Sequence, residues 1–149
     1  MQHNNAFQRR PPAAPVARSW KGVELEVKQW QQQIARASER GERAALSRLQ
    51  QECMASEAAR QLAVRRVTEM NAGKDTAGVD GVKSLSPAER VEMVEAIHPK
   101  NWKHQPTVPA RRVWIPKPGS TEWRPLAILP MLDRCKQALV KLVLEPEWE

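Results

Sequence analysis

Between residues 20 and 40 the apolar positions Val23, Val27, Trp30, Ile34 and Ala37 recur every three or four residues, which draws one apolar stripe along a helix. Ser19 stands where an N-cap belongs and Gly41 where a helix stops. The following stretch, GERAALSRLQQECMASEAARQLAVRRVTEMNAGK, keeps helical spacing through Leu46, Leu49, Cys53, Leu62, Val67 and Met70 and ends at Gly73. Within it, Ser56-Glu57 is a second start signal that divides the helix in two. Ser86-Pro87-Ala88-Glu89 is a capping box with Pro at the first helical position, and the helix behind it lines up Val91, Val94 and Ile97 before His98-Pro99 closes it. Pro99, Pro106 and Pro109 predict an extended path over 99–110, with Trp102 set among polar and cationic neighbours.

The period then changes from helical to two. In RRVWIPKPGSTEWRPL, Val113 and Ile115 alternate with Arg112 and Trp114, and Arg124, Leu126 and Ile128 share one face of a return strand. Pro116 and Pro118 cannot donate to a ladder, so the chain turns through Gly119-Ser120-Thr121 and forms a β-hairpin. This hairpin is expected to bury Val113, Ile115, Leu126 and Ile128 and to leave Arg111, Lys117 and Arg124 free to meet at one anion. A last helix, capped at or near Asp133, carries Cys135, Leu139, Leu142 and Val143 as its stripe and is expected to stop at Pro146. The predicted class is α+β, mainly helical with one antiparallel hairpin.

Charge sharpens this outline. The chain of 149 residues has a formal net charge of +7. Residues 1–18 contribute Arg9, Arg10 and Arg18 with no acid, and residues 100–124 contribute six cations against Glu122. Elsewhere 15 basic residues face 16 acidic ones. Two basic segments in an otherwise balanced chain are the footprint expected for a polyanion, with a solvated basic surface as the alternative. The Asn-, Gln-, Arg- and Pro-rich segment 1–18 is expected to be a disordered basic tail, followed by one domain over 19–149.

No apolar run approaches the roughly 18 residues of a bilayer span, and the amino-terminal stretch lacks a secretory signal's apolar core, so no membrane and a cytoplasmic, reducing setting are expected. Cys53 and Cys135, far apart and both on apolar stripes, are read as buried thiols. The loop NAGKDTAGVDG, residues 71–81, has glycines that admit close backbone approach and amides able to cradle an anion. It has neither the Gly-Lys-Ser/Thr of a P-loop nor the carboxylate ladder of an EF-hand, and a plain surface turn is the other reading.

The ordered blocks LQQECMASEAARQLAVRRVT, NAGKDTAGVDG, RRVWIPKPGSTEWRPLAI and DRCKQALVKLVLEPEWE resemble the amino-terminal part of group II intron-encoded reverse transcriptase/maturases. The resemblance runs from about Trp20 to Glu149. It implies the leading helices, the insertion loop and the fingers hairpin of a right-hand polymerase. It further implies that Lys117 and Arg124 contact the triphosphate of an incoming nucleotide, with Arg134 beside them and Ile128 as an apolar wall. Arg111, Arg112 and Trp114 would lie by the RNA template, and loop 71–81, with Lys74 and Gly78, along template–primer or intron RNA. The basic tail, Arg9, Arg10 and Arg18, would add RNA affinity.

The chain departs from the family pattern in three places. Ala127-Ile128-Leu129-Pro130 stands where Gly-Ile-Pro commonly follows Arg-Pro-Leu, and Trp102 and Trp114 stand where Tyr is frequent. The palm motifs, with their Tyr/Phe-Ala-Asp-Asp turn, have no match, since Asp75, Asp80 and Asp133 are the only aspartates and none is paired. No catalytic residue and no metal or other cofactor is therefore assigned to this chain; magnesium is implied only for a complete enzyme. Three readings follow: an RNA-binding amino-terminal module, the fingers subunit of a split RNA-directed DNA polymerase completed by a separate palm-containing chain, or a non-functional remnant truncated before the palm. A fragment that depends on a partner is expected to expose apolar surface where the palm would dock, with the stripe of the last helix, Asp133 to Leu144, left uncovered.

Overall fold

The structure, a computed structural model, describes residues 19–148. Five α-helices and one hairpin follow in order: α1 Trp20–Glu39, α2 Arg43–Ala55, α3 Glu57–Arg65, α4 Pro87–Ala96, β1 Arg111–Pro116, β2 Trp123–Ile128 and α5 Met131–Trp148. The α+β expectation holds. Ser19 caps α1, its hydroxyl accepting from the Gly22 amide at 3.3 Å, and Val23, Val27, Ile34 and Ala37 are buried along its stripe. Gly41 adopts φ 67° behind α1, a left-handed turn that a side chain would strain. Ser56 separates α2 from α3: its hydroxyl donates to the Cys53 carbonyl at 2.7 Å and accepts from the Ala59 amide at 3.3 Å.

The core lies where α1, α3 and α5 meet, with α2 alongside. Ala58, Ala59 and Ala63 of α3 are fully buried there, and such small residues let helices approach closely. At its end α3 widens into a π-helical turn, Arg66–Met70, in which Thr68 Oγ1 donates to the Val64 carbonyl at 2.8 Å. The wider turn shifts the phase of the stripe. Val67 stays buried while Met70, expected on the same stripe, is 62% exposed.

Helix α4 has its expected capping box, the Ser86 amide donating to Glu89 Oε2 at 2.7 Å. Val94 and Ile97 of its expected face meet the core, but Val91 is exposed and Met93 packs in its place, because the end of α4 near Val94 is the part tied to α3. The extended path expected over 99–110 is also corrected: Pro99–His104 forms a 3₁₀ turn. The carbonyls ending α4 draw it in, since Asn101 Nδ2, Gln105 Nε2 and Trp102 Nε1 donate to Glu95, Ala96 and Ile97 at 2.9, 2.8 and 2.9 Å. Trp102 is thus a half-buried structural donor.

Helix α5 overturns three expectations. Its first amide, on Met131, donates to Asp80 Oδ2 at 2.7 Å, so the cap comes from 51 residues away and not from Asp133, which instead lies 3.8 Å from Lys136 Nζ. Pro146 lies inside the helix and does not stop it. Proline deprives the Leu142 carbonyl, four residues back, of its amide donor. Gln31 Nε2 of α1 supplies one at 3.0 Å. Finally, Cys135, Leu139, Leu142 and Val143 are wholly buried against the other helices, so the stripe expected to lie open is the centre of the core.

Candidate nucleic-acid interface

Strands β1 and β2 pair antiparallel with Arg111 opposite Ile128, Val113 opposite Leu126 and Ile115 opposite Arg124. Opposed residues share a face. One face thus carries Arg111, Val113, Ile115, Arg124, Leu126 and Ile128, and the other Arg112, Trp114, Pro116, Trp123, Pro125 and Ala127. The chain turns between them with Lys117 N donating to the Glu122 carbonyl at 2.9 Å and Gly119 at φ 71°. Of the four residues expected to be buried by the hairpin, only Ile128 is; Leu126 is 45% exposed, and Val113 and Ile115 are half-buried. Among the described residues, no second layer covers the faces of this two-stranded sheet.

The three cations expected to be free for one anion differ in their engagement. Lys117 Nζ pairs with Glu122 Oε2 at 2.5 Å, and Arg111 Nη1 donates to the Ala77 carbonyl at 3.3 Å. Arg124 is exposed, and among the described residues its side chain has no hydrogen bond or ion pair. The Lys117–Glu122 pair is exposed on both sides, and such pairs contribute on the order of 0–1 kcal/mol. A phosphate can displace it. Arg111 and Arg112, grouped with Trp114 in the sequence, lie on opposite faces, and Arg112 and Trp114 share theirs with Trp123.

Loop 71–81 is fastened beneath the hairpin. A Cβ on Gly78 would stand 2.7 Å from the Leu129 carbonyl oxygen and 3.0 Å from Pro130 N, so glycine is required by close backbone packing. Gly78, one of the residues expected along RNA, is buried there against that backbone. Arg134 reaches across the same junction, Nε to the Leu129 carbonyl at 2.9 Å and Nη1 to that of Gly73 at 3.4 Å, and its buried Nη2 has no partner among the described residues. Lys74 Nζ lies 3.5 Å from the Glu69 carbonyl. Arg9, Arg10 and Arg18 lie outside the described residues.

Elsewhere several cations are already engaged by the protein. Glu69 accepts from Arg90 and, at 3.2 Å, from Arg65, which also reaches Glu24 at 3.2 Å and lies 4.2 Å from the centroid of the Trp20 ring. Arg60, 8% exposed, donates to the Val94 carbonyl at 2.6 Å and tethers α4. Lys100 lowers the pKa of Glu95 by hydrogen bonding, and burial lowers that of His98, whose Nδ1 accepts from the Lys100 amide. Burial pushes the free thiols of Cys53 and Cys135 up to about 11 and about 12, which keeps them protonated and unreactive at neutral pH.

The periodicity of the sequence located the hairpin but missed Trp123 and Asp80. Trp123 joins Trp114 only once the turn length sets the register, and Asp80 caps a helix far along the chain. Asp80 did carry a local signal, an Asx turn in which its Oδ1 accepts from the Val82 amide at 3.3 Å.

A capped helical body with a projecting cationic hairpin is the architecture expected of a polymerase's amino-terminal and fingers region, and residues 17–97 match the N-terminal domain of reverse transcriptase. The chain belongs to that family. It is 34% identical over 114 residues to maturase-like protein 1 of Euglena gracilis, covering 70% of this chain and 22% of that protein. It is also 36% identical over 86 residues to the Escherichia coli protein YkfC, covering 56% of this chain and 22% of YkfC. The chain thus spans about a fifth of the length of these curated relatives, and corresponds to the amino-terminal part of a reverse transcriptase/maturase.

Proposed function

We propose that the chain is the RNA-binding amino-terminal and fingers region of a group II intron reverse transcriptase/maturase. The observation that carries the reading is the exposed hairpin, with Arg112 and Arg124 unpaired among the described residues and two indoles uncovered, on a helical body whose core is closed. Intron RNA and template–primer RNA are its proposed partners, met by the hairpin, by Lys74 on the loop and by the basic tail. Once a palm completes the pocket, Lys117 and Arg124 meet the triphosphate of the incoming nucleotide, Ile128 forms a wall, and Arg134 holds the loop beside it. Cations fixed on a strand suit this task because phosphoryl transfer leaves charge on phosphate oxygens.

Divalent-metal chemistry is assigned to the palm and not to this chain. Asp80 is committed to capping α5, Asp133 pairs with Lys136, and Asp75 stands alone on the exposed loop. The test is a filter-binding titration of the full chain against a structured group II intron RNA and an unrelated structured RNA at two salt concentrations. Preference for the intron RNA at the higher salt is expected. Equal binding to both, collapsing with salt, would overturn the reading and leave a merely basic domain. Arg9, Arg10 and Arg18 changed together to Ala should weaken RNA binding and lower the salt slope by about 2, whereas Lys117→Ala and Arg124→Ala should act mainly on nucleotide use in a completed enzyme.

A further inference from the structure

The hairpin has two faces with different surroundings. The face of Arg124 adjoins the body through buried Ile128 and the Arg111 contact to Ala77. Every residue of the other face, Arg112, Trp114, Pro116, Trp123, Pro125 and Ala127, is exposed. Trp114 is 59% and Trp123 62% exposed, although tryptophan is among the side chains that gain most from cover. Trp114 sits opposite Pro125 and Trp123 opposite Pro116, so the two indoles are diagonal neighbours across the strands with prolines filling the other corners. Arg112 extends the row on the Trp114 strand, and its guanidinium is unpaired among the described residues.

We infer that this outer face is a stacking platform for single-stranded RNA, separate from the nucleotide-facing side of the hairpin. The inference rests on the reading of the chain as an RNA-binding domain and adds the form of RNA and the residues that take it. Diagonal positions lie about 7 Å apart on the sheet face, near enough for both indoles to meet one strand. Each indole can therefore offer its face to a separate base of an extended strand, while Arg112 meets a phosphate. The face carries a cation and no carboxylate, which complements a polyanion. A duplex, whose bases are already stacked on each other, offers it nothing but backbone.

The test uses the full chain and a fluorescein-labelled oligouridylate of about 12 nucleotides, within the site sizes of single-strand binders, alongside a duplex of equal length. Trp114→Ala and Trp123→Ala should each lower affinity for the oligouridylate roughly tenfold, while Trp114→Phe and Trp123→Phe retain most of it. The salt slope should not change in the tryptophan variants and should fall by about 0.7 in Arg112→Ala. Duplex affinity should stay the same in the tryptophan variants. Because both indoles are exposed, the thermal melts of these variants should match that of the parent. Unchanged oligouridylate binding by the double alanine variant would overturn the platform even if intron RNA is still preferred, so the two readings fail separately. Loss of duplex and single-strand binding in equal measure would overturn it too. A proline-rich peptide that binds the parent but not the double variant, with the oligouridylate indifferent, would assign the face to a polypeptide and likewise overturn it.

Discussion

The helical body and the hairpin both carry apolar and basic residues, yet they use them in opposite ways. In the body, Leu139, Leu142, Val143 and Ile34 are fully buried, and Arg60, Arg65 and Arg90 are committed to carboxylates or carbonyls. In the hairpin, Trp114, Trp123 and Leu126 stand in solvent, and Arg112 and Arg124 are unpaired among the described residues. The difference lies in layering. Three helices meeting around small alanines can exclude water from all their stripes, whereas two strands alone have nothing to press against. Stability therefore resides in the body, while the hairpin keeps its indoles and cations uncovered.

The sharpest way to break this contrast is to delete equal side chains from the two regions. Leu139→Ala should cost about 2–5 kcal/mol in urea unfolding, because it leaves a cavity among helices that cannot collapse. Leu126→Ala should cost only a few tenths of a kcal/mol, about what a surface change costs. A similar loss in both would mean that the hairpin is packed in solution. The parent chain, with the stripe of α5 covered, should unfold in one cooperative transition.

A second prediction concerns the seam between the regions. Gly78→Ala would push a methyl into the Leu129–Pro130 backbone, and should destabilise by about 1–3 kcal/mol and loosen the hairpin base. Amide hydrogen exchange at Leu129 and Met131 would show the loosening, and unaltered protection there would refute the seam.

The proline in α5 offers a sharper cycle. Gln31→Ala should cost about 1–2 kcal/mol by leaving the Leu142 carbonyl without its donor. Adding Pro146→Ala restores a backbone donor to that carbonyl and should recover much of the loss. Strictly additive effects in the double variant would show that Gln31 and Pro146 are not coupled.

The smallest effect is with pH. His98 Nδ1 accepts a backbone hydrogen bond, and burial first, then Arg60 and Lys100, hold the imidazole below its ordinary pKa of 6.5. The unfolded chain therefore binds the proton more readily, so stability is complete above pH 6.5 and falls as pH drops from there toward the lowered value. His98→Asn, which keeps a capping oxygen without the titration, should flatten the melting temperature across that window. A slope identical to the parent's would place the titrating group elsewhere.

Much of the body is legible in the sequence. Ser19, Ser56 and the Ser86–Glu89 box started the helices they were expected to start, because caps act on amides two or three residues away. The α1 and α5 stripes were right as well, since helical periodicity is a local property. For the candidate site, the strand alternation found which residues form the hairpin, and the resemblance only singled out Lys117 and Arg124 for a proposed role. It did not find that Glu122 occupies Lys117 or that Arg111 is turned to Ala77, because both depend on the turn and the loop beneath it.

By itself, then, the sequence determined the helices, the caps of α1, α3 and α4, the hairpin and the placing of charge, all set by interactions within a few residues. The tertiary structure alone decided that α5 runs through Pro146, that Asp80 caps it, that Gly78 is buried and that Trp123 joins Trp114. Each of these joins groups distant in sequence or set by the register of a turn. A donor such as Gln31 can cancel a local rule only when folding brings it within hydrogen-bonding reach of the group that rule leaves unpaired.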